Sequence, residues 1–140
     1  MGNPALFPLI YSCQSRDILI VHVNPIERPD EPTSARDIMN RVNEIGFNSS
    51  LMREMRAVAF VTKLIDDGKL SQSDAKRVLI HSVCADDVMR RLGPASKLNA
   101  DLRFLRQLHA LGRGRAQTWI GRHFDDVGSR STVDIQAAYL

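Results

Sequence analysis

Cysteine is nearly absent from this chain, with two in 140 residues, Cys13 and Cys84. So sparse a pair excludes a disulfide scaffold and a cysteine-built metal site, and it predicts two buried free thiols. Long apolar runs are also missing. None approaches the roughly 18–20 residues that a membrane span needs, and no basic flank with a small-residue cleavage site surrounds the first apolar stretch. These absences predict a cytoplasmic location, with peripheral membrane contact at most. There is no internal repeat, low-complexity tract or linker, so residues 1–140 read as one domain-sized unit.

Catalytic signatures are missing too. Glycines stand at 2, 46, 68, 93, 112, 114, 121 and 128, and no serine lies midway between two of them, so the G-x-S-x-G nucleophile elbow is absent. The Asp67-Gly68 pair is followed by Lys69 and reads as a helix end. His22, His81, His109 and His123 form no H-E-x-x-H and have no cysteine or carboxylate at ligand spacing, which predicts core or surface histidines and no metal. Gly112-Arg113-Gly114-Arg115 lacks the lysine and hydroxyl of a phosphate loop. The acidic pairs Asp66-Asp67, Asp86-Asp87 and Asp125-Asp126 read as helix-terminus charges. No helix-turn-helix, zinc or RNA-binding signature appears, so nucleic acid is not expected as a partner. Residue chemistry alone yields no catalytic residue and no cofactor.

What is present is an ordinary globular balance, 44% apolar and 25% charged. The net charge of +3 is uneven: residues 1–70 carry 8 basic and 9 acidic side chains, residues 71–140 carry 11 and 7. The basic second half suits an anionic membrane surface, nucleic acid or a solvated helix face. Two β-branched runs, 18–23 and 78–83, predict strands, the first buried on both faces and parallel to a neighbour.

Helices are predicted over Pro4 to Cys13; from a Thr33 or Ser34 cap to Gly46, which stops or bends it; from Asn48 to Asp67; over Val88 to Leu92 behind an Asp86 cap; from Asn99 to Leu111, with Gly114 weakening the stretch beyond; and from a Ser131-x-x-Asp134 cap to Leu140. Ser71-x-x-Asp74 is a further candidate cap. Leu51, Met55, Val58, Thr62 and Ile65 form one apolar stripe, and Leu102, Leu105, Leu108 and Leu111 another. The fold class is α/β, with two strands among five to seven helices. Two strands alone make an incomplete sheet, whose open edge predicts self-association.

Several stretches, in order, resemble bacterial patatin-like phospholipases. They are Gly2-Asn3-Pro4-Ala5 with the helix after it, Ser15-Arg16-Asp17-Ile18 leading to Asn24-Pro25, and Asn40-Arg41-Val42-Asn43-Glu44-Ile45. Phe47-Asn48-Ser49-Ser50-Leu51, Arg53-Glu54-Met55-Arg56-Ala57, Ser96-Lys97-Leu98-Asn99, Gly112-Arg113 with Trp119, and Ser131-Thr132-Val133-Asp134 continue the set. The resemblance implies a Ser-Asp dyad fold that cleaves lipid acyl esters through an acyl-serine intermediate. The family's D-G-[GA] loop would fall just before Met1, so residues 1–140 read as the C-terminal part of such a domain, inactive alone. Gly2, Asn3 and Pro4 would then flank the missing aspartate loop and help to place it. The other reading is a standalone helical module that binds anionic lipid or an acidic partner.

Overall fold

The computed structural model describes residue 3, residues 5–71 and residues 73–140, without the side chains of Pro94 and Ala95. Gly2 and Pro4, both expected beside the aspartate loop, lie outside the described residues. Among those described, five α-helices and two strands run in the order α1 (Phe7–Ser12), β1 (Asp17–Val21), α2 (Ala35–Asp66), β2 (Leu79–Val83), α3 (Asp86–Met89), α4 (Leu102–His123) and α5 (Ile135–Tyr139). Short 3-10 turns occupy Pro94–Leu98 and Phe124–Asp126. The α/β class expected from the sequence is what forms.

β1 and β2 pair in parallel, with Ile18 opposite Ile80 and Leu19 opposite His81. Alternation along the strands separates two faces. Ile18 and Ile80 enter a core with Leu6, Leu51, Met55, Val58 and Tyr139, so α2 and α5 cover that side. Leu19, His81, Val21 and Val83 share the other face, where the Trp119 ring of α4 meets the His81 ring edge-on at 5.6 Å. The sheet is therefore sandwiched, but unequally.

Burial on both faces of β1, expected from its apolar run, is not found. Leu19 is 49% and Val21 65% exposed, because α4 reaches β2 and leaves β1 uncovered. β1 also spans 17–21 instead of 18–23; the ladder closes with the His22 N–H donating to Val83 O at 2.9 Å. The two sheet edges differ. On β2, the Ile80 N–H donates to Ser131 Oγ at 3.0 Å and Ile80 O accepts from Thr132 N–H at 3.1 Å. On β1, Asp17 bonds locally to Ser15 Oγ, while the outward N–H and C=O groups of Leu19 and Val21 find no partner among the described residues.

The helix from the Ser34 cap and the helix after Asn48 are one element. Ser34 caps α2 by accepting the Asp37 N–H at 3.1 Å, and the helix then passes through Gly46 without a break. A glycine inside a helix costs only about 1 kcal/mol relative to alanine, and the packing of Leu51, Met55 and Val58 outweighs it. The predicted stripe is real, with Leu51, Met55, Val58 and Ile65 all buried. Gly68, at φ +69°, ends α2: its N–H reaches Ile65 O, and the Lys69 N–H reaches Leu64 O at 2.9 Å.

Other boundaries move for local reasons. α1 begins at Phe7, with Pro8 in its first turn, and Glu54 of α2 accepts the Leu6 and Phe7 N–H groups. Asp101, not Asn99, caps α4, accepting the Phe104 N–H at 2.9 Å, and the helix continues through Gly112 and Gly114. A spacing of three drifts around a 3.6-residue helix, so Leu108 and Leu111 are half-buried while Leu102 and Leu105 are exposed. Asp134 caps α5 through the Gln136 and Ala137 N–H groups, and Ser131 serves β2 instead. Asp86 is the first residue of α3 rather than its cap, and among the described residues no helix starts at Ser71, whose C=O accepts the Asp74 N–H at 3.0 Å. Cys13 and Cys84 are free as expected but exposed, because each lies just beyond an element's end and not on its inner face.

Candidate functional site

In open parallel sheets, ligands settle outside the carboxyl ends of the strands. Here both strands end in a groove of about 980 Å³. Its floor is Leu19, Val21, Val23 and Val83, and α4 supplies Leu108 and Leu111 as one wall. Asn43 and Phe47 of α2, Met89 of α3 and Leu92 also line it. The lining is overwhelmingly apolar, which suits a hydrocarbon ligand whose burial gains about 25 cal/mol per Å².

Few charges line the groove, and most are already committed. Glu44 binds Arg28 side-on, with both N–H···O distances 2.8 Å, and this bond holds the Arg28 guanidinium above its ordinary pKa. Arg115 reaches Asp87 at 2.5 Å and holds that carboxyl below the ordinary aspartate value. Lys97 differs. Its Nζ lies 5.9 Å from the Phe47 ring centroid, with no carboxylate partner among the described residues. An apolar trough with an uncommitted cation at its rim can take an amphipath with an anionic head.

Among the described residues, the groove holds no assembled nucleophile. The desolvating groove wall around Cys84, and then Asp86, push its thiol pKa up although the residue keeps solvent contact, which leaves little thiolate at neutral pH. Ser96 Oγ donates to Gly93 O at 2.6 Å. His22 Nε2 lies 2.8 Å from the Tyr139 hydroxyl oxygen, which ties this imidazole to a core tyrosine. Among the described residues, no group of three or more histidines, cysteines or carboxylates could hold a metal ion.

A hydroxyl–imidazole–carboxylate line does exist elsewhere. His81 Nε2 is 2.9 Å from Asp17 Oδ1 and Nδ1 is 3.1 Å from Thr132 Oγ1. The order mimics a nucleophile, base and orienting acid. Its position does not: His81 is 1% exposed and none of the three lines the groove. Asp17 also accepts the Gly128 N–H at 2.8 Å, so the line ties residues 128–132 to the sheet. Sequence spacing concealed it, since the partners are 64 and 51 positions apart.

Asn3, expected to flank an aspartate loop, stands beside the groove. Its Nδ2 donates to Asn48 Oδ1 at 3.0 Å, and Asn48, itself buried, donates to Pro25 O at 3.0 Å. This fixes the chain next to Asn24, Pro25 and Phe47 of the groove wall. Comparison with known proteins finds no matching family, no matching curated relative and no matching solved structure.

His22 gives the groove wall a pH dependence. Burial, opposed only by Asp86, lowers its pKa below the ordinary 6.5. The unfolded chain then binds the proton more readily, so stability is full above about pH 6.5 and is lost as pH falls towards the folded pKa. Urea unfolding from about pH 7.5 to about pH 5 should show this loss. His22→Leu should flatten the slope, and an identical slope in wild type and variant would assign it to another group.

Proposed function

We propose that this chain is the C-terminal part of a patatin-like lipid acyl hydrolase and builds the apolar wall along which an acyl chain lies. The observation that carries the reading is the groove at the carboxyl ends of two parallel strands, hydrocarbon-lined and rimmed by Lys97. Two further features support it. The sheet stops at β1 with open backbone groups and exposed Leu19 and Val21, which is what a strand adjoining further strands of the same sheet would leave. G-x-S-x-G and D-G-[GA] are both absent from the sequence, so in this reading nucleophile and base would be supplied by residues outside it.

In this reading Asn3 and Asn48 set the path of the chain next to the reacting ester, and the groove residues bind the acyl tail. Hydrolysis by the chain alone is not expected. Titration with a fluorescent long-chain fatty acid should give saturable binding, and a short p-nitrophenyl ester should show no serine-dependent turnover. Leu108→Glu puts a carboxylate in the wall; at about 2 kcal/mol of polar burial, affinity should fall about thirtyfold. Absent binding, or binding indifferent to Leu108→Glu, would sink the proposal. Turnover lost on serine replacement would show a nucleophile within the chain.

A further inference from the structure

The outer face of α4 has a composition that the groove does not use. From Leu102 to His123 the helix has five arginines and not one aspartate or glutamate. Leu102, Arg106, His109, Arg113 and Ile120 are spaced by four, three, four and seven, which places them on a single helical face. All five are exposed. Arg103, Arg106, Arg113 and Arg122 have no ion-pair partner among the described residues.

Apolar residues gather at the start of the same helix. Leu98 is 90% exposed, Leu102 60% and Leu105 46%, beside Arg103 and Arg106. A solvated helix face would alternate charges of both signs. A nucleic-acid surface would explain the arginines but not the leucines. Basic side chains around projecting apolar ones are the composition of a helix lying in the headgroup layer of a bilayer.

We propose that this corner, Leu98 to Arg113, docks the chain onto an anionic lipid surface, with the arginines on the headgroups and Leu98 and Leu102 entering the acyl boundary. The unopposed arginines set the charge of the occupant, and the exposed leucines set its apolar depth. Leu108, Leu111 and Arg115, which line the groove, lie on the other side of α4, so this surface and the groove are separate features. The inference goes beyond the acyl-wall reading and stands or falls separately.

Co-sedimentation of the full chain with phosphatidylglycerol-rich vesicles tests it, with phosphatidylcholine vesicles as the neutral comparison. Binding should favour the anionic vesicles and weaken with salt. Replacing Arg103, Arg106 and Arg113 together by Gln should weaken it roughly a hundredfold, from the contribution of each basic residue near such a surface. Leu98→Asp with Leu102→Asp should also weaken it. Both variants change exposed residues outside the groove, so their melting curves and fatty-acid titrations should match the parent. Equal binding to neutral vesicles, or binding that survives both variants, would overturn the proposal. Capture by soluble polyglutamate without vesicle binding would overturn it in favour of an acidic protein. Vesicle binding without fatty-acid binding would keep this surface and reject the acyl wall.

Discussion

Tyr139→Ala is expected to destabilise the chain by about 4 kcal/mol, the cost of removing a fully buried aromatic and leaving its cavity. Tyr139 is 1% exposed and sits among Leu51, Met55 and Ile80, so α5 is held to the sheet largely through this one ring. Its hydroxyl meets His22 Nε2 at 2.8 Å, and its removal also strips a half-buried imidazole of its partner. Domains are typically stable by about 5–15 kcal/mol, so the loss approaches the whole margin of a domain with two strands. Tyr139→Phe separates the two contributions: it keeps the ring and should cost about 1–2 kcal/mol. Urea midpoints of the three proteins check this. A loss below about 1 kcal/mol for Tyr139→Ala would mean that α5 does not anchor the sheet.

Asp17→Ala is expected to cost about 3 kcal/mol, although Asp17 sits at the rim of the sheet and is partly solvated. The burden falls on its partners. The His81 Nε2–H would be left without an acceptor inside a site 1% exposed, and the Gly128 N–H would lose its bond of 2.8 Å. Arg16 donates to Gly128 O at 2.8 Å and would become the remaining side-chain tie between the start of β1 and that turn. Burial alone would raise the Asp17 pKa, but the bonds from Gly128 and His81 win and hold it below the ordinary 3.8. The stability this supplies is present above about pH 3.8 and disappears as pH falls through the lower folded value. Asp17→Ala should therefore flatten the acid limb of the stability profile as well as lower the plateau. Thr132→Val removes the other bond to His81 and should cost less, about 1 kcal/mol, since a lone acceptor is less costly to strand than a buried N–H. Guanidinium unfolding at neutral and acid pH distinguishes the cases. An unchanged acid limb in Asp17→Ala would assign that limb to other carboxylates.

Much of the local structure was legible because it depends on neighbours in the chain. Ser34 and Gly68 act at helix ends through groups within three residues, and each could be read from its type and position, while the Ser131 cap expected before α5 gave way to Asp134. The stripe from Leu51 to Ile65 came from the helical period. Gly46, Gly112 and Gly114 misled because a local penalty of about 1 kcal/mol per glycine is small beside the packing of a long helix. Cys13 and Cys84 misled for the converse reason: an apolar residue type says nothing of what covers it.

The candidate site was much less legible. Groove residues come from β1, β2, α2, α3, α4 and the turn before α4, and no spacing within one segment marks them. Asn3 stood out through a resemblance, but its bond to Asn48 joins positions 45 apart. The Asp17–His81–Thr132 line and the His22–Tyr139 pair had no signal, since lone polar residues in apolar runs do not announce their partners.

By itself the sequence determined the α/β class, the two strands, the Ser34 and Gly68 ends of α2 and the lack of a nucleophile elbow, all of which rest on interactions over a few residues or on motif presence. Tertiary structure alone decided which strand lies open, that His81 is buried between two partners, and that the strand ends face an apolar groove. Those outcomes depend on which face of each element is covered by another, and that is set by packing between segments far apart in the chain.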